Sequence, residues 1–345
     1  MAEKIMVGMS GGVDSAVSAY LLREAGYDVT GVTLSLFPEN GTAEMDDAAQ
    51  VAAKMGIPHR VVDLSEAFYK KVIDAFVDTY INGGTPNPCI VCNRHIKFGD
   101  MLSYAESCDV PLIGTGHYAR IERDGNGRFL LKRAADAGKD QSYVLYSLTQ
   151  HQLAHTRFPL GSYCKSEIRE IAEAQGFVNA RKHDSQDICF VPDGDYVAFI
   201  ERYTGKRFPC GHFIDRDGKI LGRHNGMIRY TVGQRKGLGI ALGKPAFVCA
   251  KNAADNTVTL GDNEDLFSTS LTARDVNLIA CDNLHSPVRV TAKIRYGQSE
   301  TAATVEQIGD DRIRVAFDQP QRAVAKGQSV VLYDGETVVG GGIIE

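Results

Sequence analysis

Small and hydroxyl-bearing residues follow the first apolar run of the chain, and their types and spacing suit phosphate binding. The stretch GMSGGVDS (8–15) comes directly after the apolar residues 5–7 and is followed by a helical pattern. A strand that opens a helix in this way presents unpaired backbone N–H groups at the positive end of the helix dipole. Adjacent glycines let the backbone approach an anion closely, and the serines add hydroxyl donors. We therefore predict a phosphate site here, and the alternative is a glycine-rich turn without a ligand.

Two cysteine sites have the surroundings of reactive thiols. Cys89 and Cys92 form a C-x-x-C motif behind a loop stiffened by two prolines, before a helix predicted over 93–101. A thiol at a helix N-terminus has a lowered pKa, so the sequence predicts nucleophilic thiolates. Cys189 lies in the polar stretch SQDICF (185–190), and a buried structural thiol is its alternative. An isolated C-x-x-C also suits a redox pair or half a zinc site.

Catalytic zinc and a disulfide framework are not expected. No second C-x-x-C is present, and the stretch HQLAH (151–155) has Gln where a metalloprotease helix needs Glu. The eight cysteines are scattered through a long chain, which argues against a secreted disulfide scaffold. The remaining cysteines are predicted to be buried small apolar residues: Cys108, Cys164, Cys210, Cys249 and Cys281.

The elements that must position these residues alternate in the first half of the chain. Strand patterns at 4–9, 29–33 and 60–62 alternate with helical patterns at 14–24 and 44–54. This alternation predicts an α/β fold with a parallel sheet, and it places the phosphate loop at the edge where the strands end.

A second strand–loop unit begins with a strand at 110–113, which runs into the sequence GTGHYA (114–119), and we interpret this sequence as a second wall of the same pocket. The sequence matches G-x-G-x-x-A, but the residues that follow it, 120–133, read as a β-hairpin around DGNG rather than a helix. A dinucleotide site is rejected on that ground.

The predicted secondary structure changes near residue 200, where short β-rich runs with Gly, Asp and Asn turns replace the helical patterns. We predict a catalytic domain over 1–200, a small β-rich connector over 201–266 and a C-terminal β-barrel over 267–345.

The chain has 345 residues, a net charge of −5 and 43% hydrophobic residues, typical of a folded protein with more than one domain. It has no basic excess that would indicate nucleic-acid binding, no apolar run long enough for a membrane span and no signal peptide, so we expect a cytoplasmic protein.

The loop at 8–15 lacks the lysine of the P-loop motif, because no Gly-Lys pair in the chain precedes Ser or Thr. SGGVDS instead resembles the pyrophosphate loop of ATP pyrophosphatases, which cleave ATP between its α- and β-phosphates. The whole chain resembles the tRNA-specific 2-thiouridylases, which replace O2 of the wobble uridine with sulfur. The motifs that carry this resemblance are SGGVDS, TPNPCIVCN, TGHYAR, KDQSYVL, SQDICF, TVGQRKGLGI, KIRYGQ and GGGIIE.

The resemblance implies that ATP adenylates the uridine carbonyl, with release of AMP and pyrophosphate over the reaction, and that Asp14 helps to hold Mg²⁺ on the phosphates. Cys189 would accept sulfur as a persulfide, and Cys92 would attack it and leave a Cys92–Cys189 disulfide. ATP binding is assigned to Gly8, Met9, Ser10, Gly11, Gly12, Val13, Asp14, Ser15, Leu34 and Gly116. Contacts with the tRNA anticodon loop are assigned to Asn87, Pro88, Cys89, His117, Lys139, Asp140, Gln141, Arg295, Tyr296 and Gln328.

One departure from the family's pattern opens an alternative. Many members have Asp at the position of Cys89, so this chain offers a third thiol beside Cys92 and Cys189. Three thiolates with an open fourth site can hold a [4Fe–4S] cluster that binds sulfide. The sulfur source is therefore either a donor protein or sulfide. Two further alternatives are a ligase or other sulfurtransferase with the same ATP loop, and a non-catalytic RNA-binding adaptor. The oligomeric state is open, with a monomer favoured.

Overall fold

A computed structural model describes residues 2–37, 42–182 and 188–345. The first part of the chain contains the strands β1 (Lys4–Gly8), β2 (Asp28–Ser35), β3 (His59–Asp63), β4 (Leu112–Gly114), β5 (Arg120–Arg123), β6 (Phe129–Lys132) and β7 (Thr156–Arg157). Its helices are α1 (Val13–Glu24), α2 (Thr42–Met55), α3 (Ser65–Phe68), α4 (Asp74–Ile81), α5 (Pro88–Cys92), α6 (Met101–Ser107), α7 (Ser142–Leu145), α8 (Gln150–Ala154), α9 (Lys165–Ala174) and α10 (Tyr196–Thr204). Two π-helical segments, Tyr69–Ile73 and Asn93–Asp100, connect neighbouring helices.

The predicted parallel sheet is confirmed. Its five strands run in the order β3-β2-β1-β4-β7, and every neighbouring pair is parallel. The central strand β1 is apolar on both faces, with Ile5 and Val7 buried on one face and Met6 on the other, because helices cover the sheet on both sides. The strand ends lie along one edge, so the loop after β1 and the loop after β4 are neighbours.

The predicted hairpin is also confirmed, and it joins two parts of the molecule. β5 and β6 pair antiparallel around Gly127, whose φ of 88° suits glycine. β6 also pairs with the last strand of the chain through Lys132 and Thr337. The hairpin therefore extends the C-terminal sheet instead of the parallel one.

The second half of the chain is built from strands, as predicted. They are β8 (Gly211–Ile214), β9 (Ile220–His224), β10 (Phe247–Asn252), β11 (Thr257–Gly261), β12 (Phe267–Leu278), β13 (Val288–Lys293), β14 (Thr301–Gly309), β15 (Arg312–Arg322), β16 (Ser329–Asp334) and β17 (Thr337–Ile344), with 3₁₀ turns at Met227–Arg229 and Glu264–Leu266.

These strands form two sheets. A small central sheet has the order β10-β11-β8-β9. The C-terminal strands follow the order β12-β15-β14-β13-β16-β17, and pairing of β12 with β17 closes them into the predicted barrel. Alternation in β15 shows why the sequence predicts it: Ile313 and Val315 are fully buried, while Arg312 and Arg314 are exposed. Among the described residues, no helix is long and apolar enough to cross a membrane.

Candidate active site

The loop between β1 and α1 has the geometry of an anion site. Gly11 has a φ of 73°, and Gly12 precedes the first residue of α1 without a side-chain cap. The backbone N–H of Ser10 donates to the Ser15 hydroxyl at 3.1 Å, and that hydroxyl donates to Gly12 O at 3.0 Å. Met9 and Val13 bury their side chains in the core, so their backbone groups are what they can offer a ligand.

Asp14 is paired with a lysine that the sequence analysis missed. The Lys165 ammonium, at the start of α9, lies 2.8 Å from both oxygens of the Asp14 carboxylate. The Tyr118 hydroxyl donates to the same carboxylate at 2.7 Å. The role of Asp14 at Mg²⁺ stays a prediction, and binding of the metal there would compete with this ammonium for the carboxylate. The sequence could not predict this pair, because Lys165 is 151 positions from Asp14 and no motif links the two residues.

Gly116 lies against the phosphate loop, as the second-wall interpretation requires. A Cβ at this position would lie 2.8 Å from the Asp14 carbonyl carbon and 2.9 Å from Ser15 N. Only glycine permits this approach between the loop after β4 and the start of α1. Leu34, near the end of the neighbouring strand β2, is partly buried against the core.

The cysteine motif lies within a helix, not before it. Asn87 caps α5 by accepting from Cys89 N at 3.2 Å, and Pro88 is the first helical residue. α5 begins five residues earlier than the predicted helix, so Cys92 is its last residue, away from the positive end of the dipole. Cys89 is exposed, but Cys92 is buried in an apolar cluster with residues such as Ile96.

The prediction of a lowered thiol pKa at the C-x-x-C motif is wrong for Cys92. Burial raises the pKa of Cys92 to about 12, against a smaller opposing effect of Lys97. Desolvation by the surrounding protein also raises the pKa of Cys189, although that residue is exposed at the surface. The thiols of Cys89 and Cys189 lie close enough to Cys92 to disfavour its thiolate electrostatically. Cys92 also shares its apolar cluster with Ile188 and Phe190, which flank Cys189, so the structure brings the two cysteine sites together. Half of SQDICF, residues 185–187, lies outside the described residues.

The iron–sulfur alternative receives no support from this arrangement. Within the described ranges, no group of three or more His, Cys, Asp or Glu side chains is placed to hold a metal ion.

The prediction that the remaining cysteines are buried is also wrong, because Cys164 and Cys210 are exposed and the others are half-buried: Cys108, Cys249 and Cys281. These cysteines lie in loops or at the edges of sheets, where their neighbours leave them partly open to solvent.

Two barrel residues assigned to tRNA contact, Tyr296 and Gln328, form hydrogen bonds with the first domain. Tyr296, from the barrel, is 45% exposed, and Cys89 and Lys139 are among the groups that influence its pKa. Its hydroxyl donates to Asp140 O at 3.3 Å. The Gln328 amide donates to Thr85 O at 2.9 Å, just before Asn87.

Other assigned residues have structural partners. Asp140 accepts from the Ser142 hydroxyl at 2.7 Å, and Gln141 accepts from Tyr118 N at 2.9 Å. Arg295 donates to Arg322 O at 2.7 Å. His117 is buried beside Thr115, and burial holds its pKa well below the usual range, so it reaches RNA only if its surroundings open.

Known families and relatives match this chain along almost its whole length. Residues 3–193 match the family described as "tRNA methyl transferase HUP domain", residues 197–262 its PRC-barrel domain, and residues 268–344 an aminomethyltransferase β-barrel domain. A protein of Clostridioides difficile named tRNA-specific 2-thiouridylase MnmA is 52% identical over 100% of this chain and 99% of its own length. A protein of the same name from Acetivibrio thermocellus is 50% identical over 99% of each chain. This chain belongs to the tRNA-specific 2-thiouridylase family.

Proposed function

We propose that this chain is an ATP-dependent enzyme that replaces O2 of the wobble uridine of tRNA with sulfur. The observation that carries the proposal is the apolar cluster in which Cys92, on the helix capped by Asn87, packs with Ile188 and Phe190 on either side of Cys189. The phosphate loop, with Gly116 against it, supports an ATP site at the edge of the parallel sheet. The names of the relatives agree with this reaction.

In the first step, uridine O2 attacks the α-phosphorus of ATP and pyrophosphate leaves. The product is an O2-adenylated uridine, in which AMP is a good leaving group. Free N–H groups at the start of α1 and the hydroxyl of Ser10 stabilise the charge on the phosphates. Mg²⁺ would shield the phosphates when bound with ATP, and no step here depends on a metal ligand from the protein.

In the second step, Cys189 takes a sulfane sulfur from a persulfide of a donor protein, whose own sulfur leaves as a thiol. Cys92 then attacks the Cys189 sulfur of the Cys189 persulfide, and hydrosulfide leaves. Hydrosulfide adds to C2 of the uridine and expels AMP, while a Cys92–Cys189 disulfide remains. Two electrons from a thiol reductant restore the cysteines.

The raised pKa of Cys92 bears on this step. A thiol with a pKa of about 12 is almost wholly protonated at neutral pH, so it is a weak nucleophile in the structure without RNA. We propose that binding of tRNA rearranges the surroundings of Cys92 and lowers this pKa. Lys97 already lowers the pKa of both Cys92 and Cys189, so its positive charge can serve that purpose.

The stoichiometry of the reaction tests the proposal. Purified protein is incubated with tRNA, ATP and a persulfide donor, and the nucleotide products are counted against 2-thiouridine. We expect one AMP and one pyrophosphate for each thiolated uridine. Formation of ADP and phosphate, or thiolation without ATP, would contradict adenylation. A non-catalytic adaptor would bind tRNA and ATP without forming any thiouridine.

A further inference from the structure

The loop between α4 and α5, residues 82–87, is held by side chains from both of the other parts of the molecule. Lys251, in β10 of the central sheet, donates to Gly84 O at 3.3 Å. Gln328, before β16 of the barrel, donates to Thr85 O at 2.9 Å and to Pro86 O at 3.4 Å. Three successive carbonyl groups therefore accept hydrogen bonds from outside the domain that contains them.

The backbone of this loop is also packed closely against the barrel. Thr85 N donates to Lys326 O at 2.8 Å. A Cβ at Gly84 would lie 3.2 Å from the same Lys326 oxygen and 2.7 Å from a Thr79 methyl group. Gly83 has a φ of 79°, which lets the chain turn sharply out of α4. The loop thus lies where all three parts of the molecule meet.

Lys251 occupies this junction in an unusual way for a lysine. Its ammonium donates to Tyr230 O at 2.8 Å as well as to Gly84 O, so both acceptors are neutral carbonyl groups. No carboxylate among the described residues influences its pKa, because burial is the sole cause of the shift. Burial lowers the pKa of Lys251 to about 8. An ammonium that is desolvated without a counter-charge opposes folding, and groups retained at such a cost are concentrated at functional positions.

We propose that Lys251 is a positioning residue that fixes the loop of Asn87 and, through it, the cysteines of α5. Asn87 follows Gly84 by three residues and caps α5 at Cys89 N. A shift of Gly84 therefore moves the cap and the helix that ends at Cys92. A small misplacement of a nucleophile is enough to slow a reaction severely. This inference rests on the proposed function, since it concerns the same reaction.

Two variants and a matched control test this role. Lys251→Met keeps the length of the side chain and removes its donors, while Lys251→Gln keeps a donor. Lys244→Met is the control, because Lys244 lies in the same domain and forms an exposed ion pair with Asp262. For each protein we would measure kcat and KM for tRNA thiolation, ATP affinity, Tm, and hydrogen exchange of the peptide over 83–92.

We expect Lys251→Met to lower kcat by about 10- to 100-fold while KM for tRNA and ATP affinity change by less than about twofold. Hydrogen exchange over 83–92 should increase in this variant and not in Lys244→Met. Lys251→Gln should recover part of kcat. A Lys251→Met protein with the kcat of wild type, whatever its Tm, would overturn the inference. If wild type itself forms no thiouridine, the proposed function fails instead. Hydrogen exchange over 83–92 then still tests whether Lys251 fixes the loop.

Discussion

The Lys165 ammonium lies 2.8 Å from both carboxylate oxygens of Asp14, although the two residues are 151 positions apart in the chain. Asp14 belongs to the loop at the start of α1, and Lys165 begins α9, which packs on α1. The P-loop motif carries its lysine within the loop itself. Here a distant helix supplies a positive charge to the phosphate loop.

Lys165→Met should lower the free energy of unfolding by about 2 kcal/mol, less than for a fully buried pair because the Asp14 side chain is 29% exposed. The loss comes mainly from leaving the Asp14 charge without its partner. Urea unfolding monitored by circular dichroism measures it. The double variant Asp14→Asn with Lys165→Met should recover part of the loss. Additive losses from the two single variants would contradict the coupling.

Gly116→Ala should disrupt the ATP site. A methyl group at this position would lie within 2.9 Å of backbone atoms of Asp14 and Ser15, which cannot move without displacing the phosphate loop. We expect ATP affinity to fall by about tenfold or more, measured by calorimetry. Gly125→Ala is the matched control, because a Cβ at Gly125 meets no atom within 4 Å. Equal ATP affinities in the two variants would exclude this role of Gly116.

Alkylation of Cys92 should depend steeply on pH in the protein without RNA. Because burial raises its pKa to about 12, each pH unit between 7 and 10 should speed its reaction with iodoacetamide about tenfold. In protein unfolded by urea the rate should level off above pH 9. Stability should change in the opposite direction to the reaction rate. The raised pKa of Cys92 stabilises the folded state fully below pH 9, and this stabilisation is lost as the pH rises towards 12. Peptide mass spectrometry follows the modification, and a native rate that levels off below pH 9 would contradict the buried thiol.

Tyr296→Leu should weaken tRNA binding and leave ATP binding unchanged. The ring is 45% exposed and its hydroxyl donates to Asp140 O, and stacking of a base on an aromatic ring accounts for about tenfold or more in affinity. Phe267→Leu is a suitable control, because Phe267 is another barrel aromatic with the same exposure of 45%. Filter binding of radiolabelled tRNA compares the two. Similar affinities for both variants would remove Tyr296 from the interface.

The parallel sheet, the hairpin and the barrel could be predicted because each depends on local pattern. Ile313 and Val315 alternate with exposed arginines, and the turn at 124–127 determines the hairpin on its own. The phosphate loop is equally local. These features require no knowledge of which distant segments meet.

The state of the thiols and the partners of the site could not be predicted, because they depend on tertiary contacts. Cys92 appears in the sequence as part of a C-x-x-C motif just before a predicted helix, and only packing against Ile96 and neighbouring apolar residues reveals its burial. The same limit applies to Lys165 at Asp14 and to Lys251 at Gly84. A motif that covers only adjacent residues cannot predict the contacts of either lysine.

The most direct test of the central claim is mass spectrometry of tRNA nucleosides after reaction with wild-type protein, Cys92→Ser and Cys189→Ser, with and without ATP. The account predicts 2-thiouridine at the wobble position with wild type and ATP, and none with either variant or without ATP. Thiolation by the Cys92→Ser protein at the rate of wild type would contradict the role of Cys92 as the nucleophile. Absence of 2-thiouridine with wild type, ATP and a competent sulfur donor would contradict the proposed function itself.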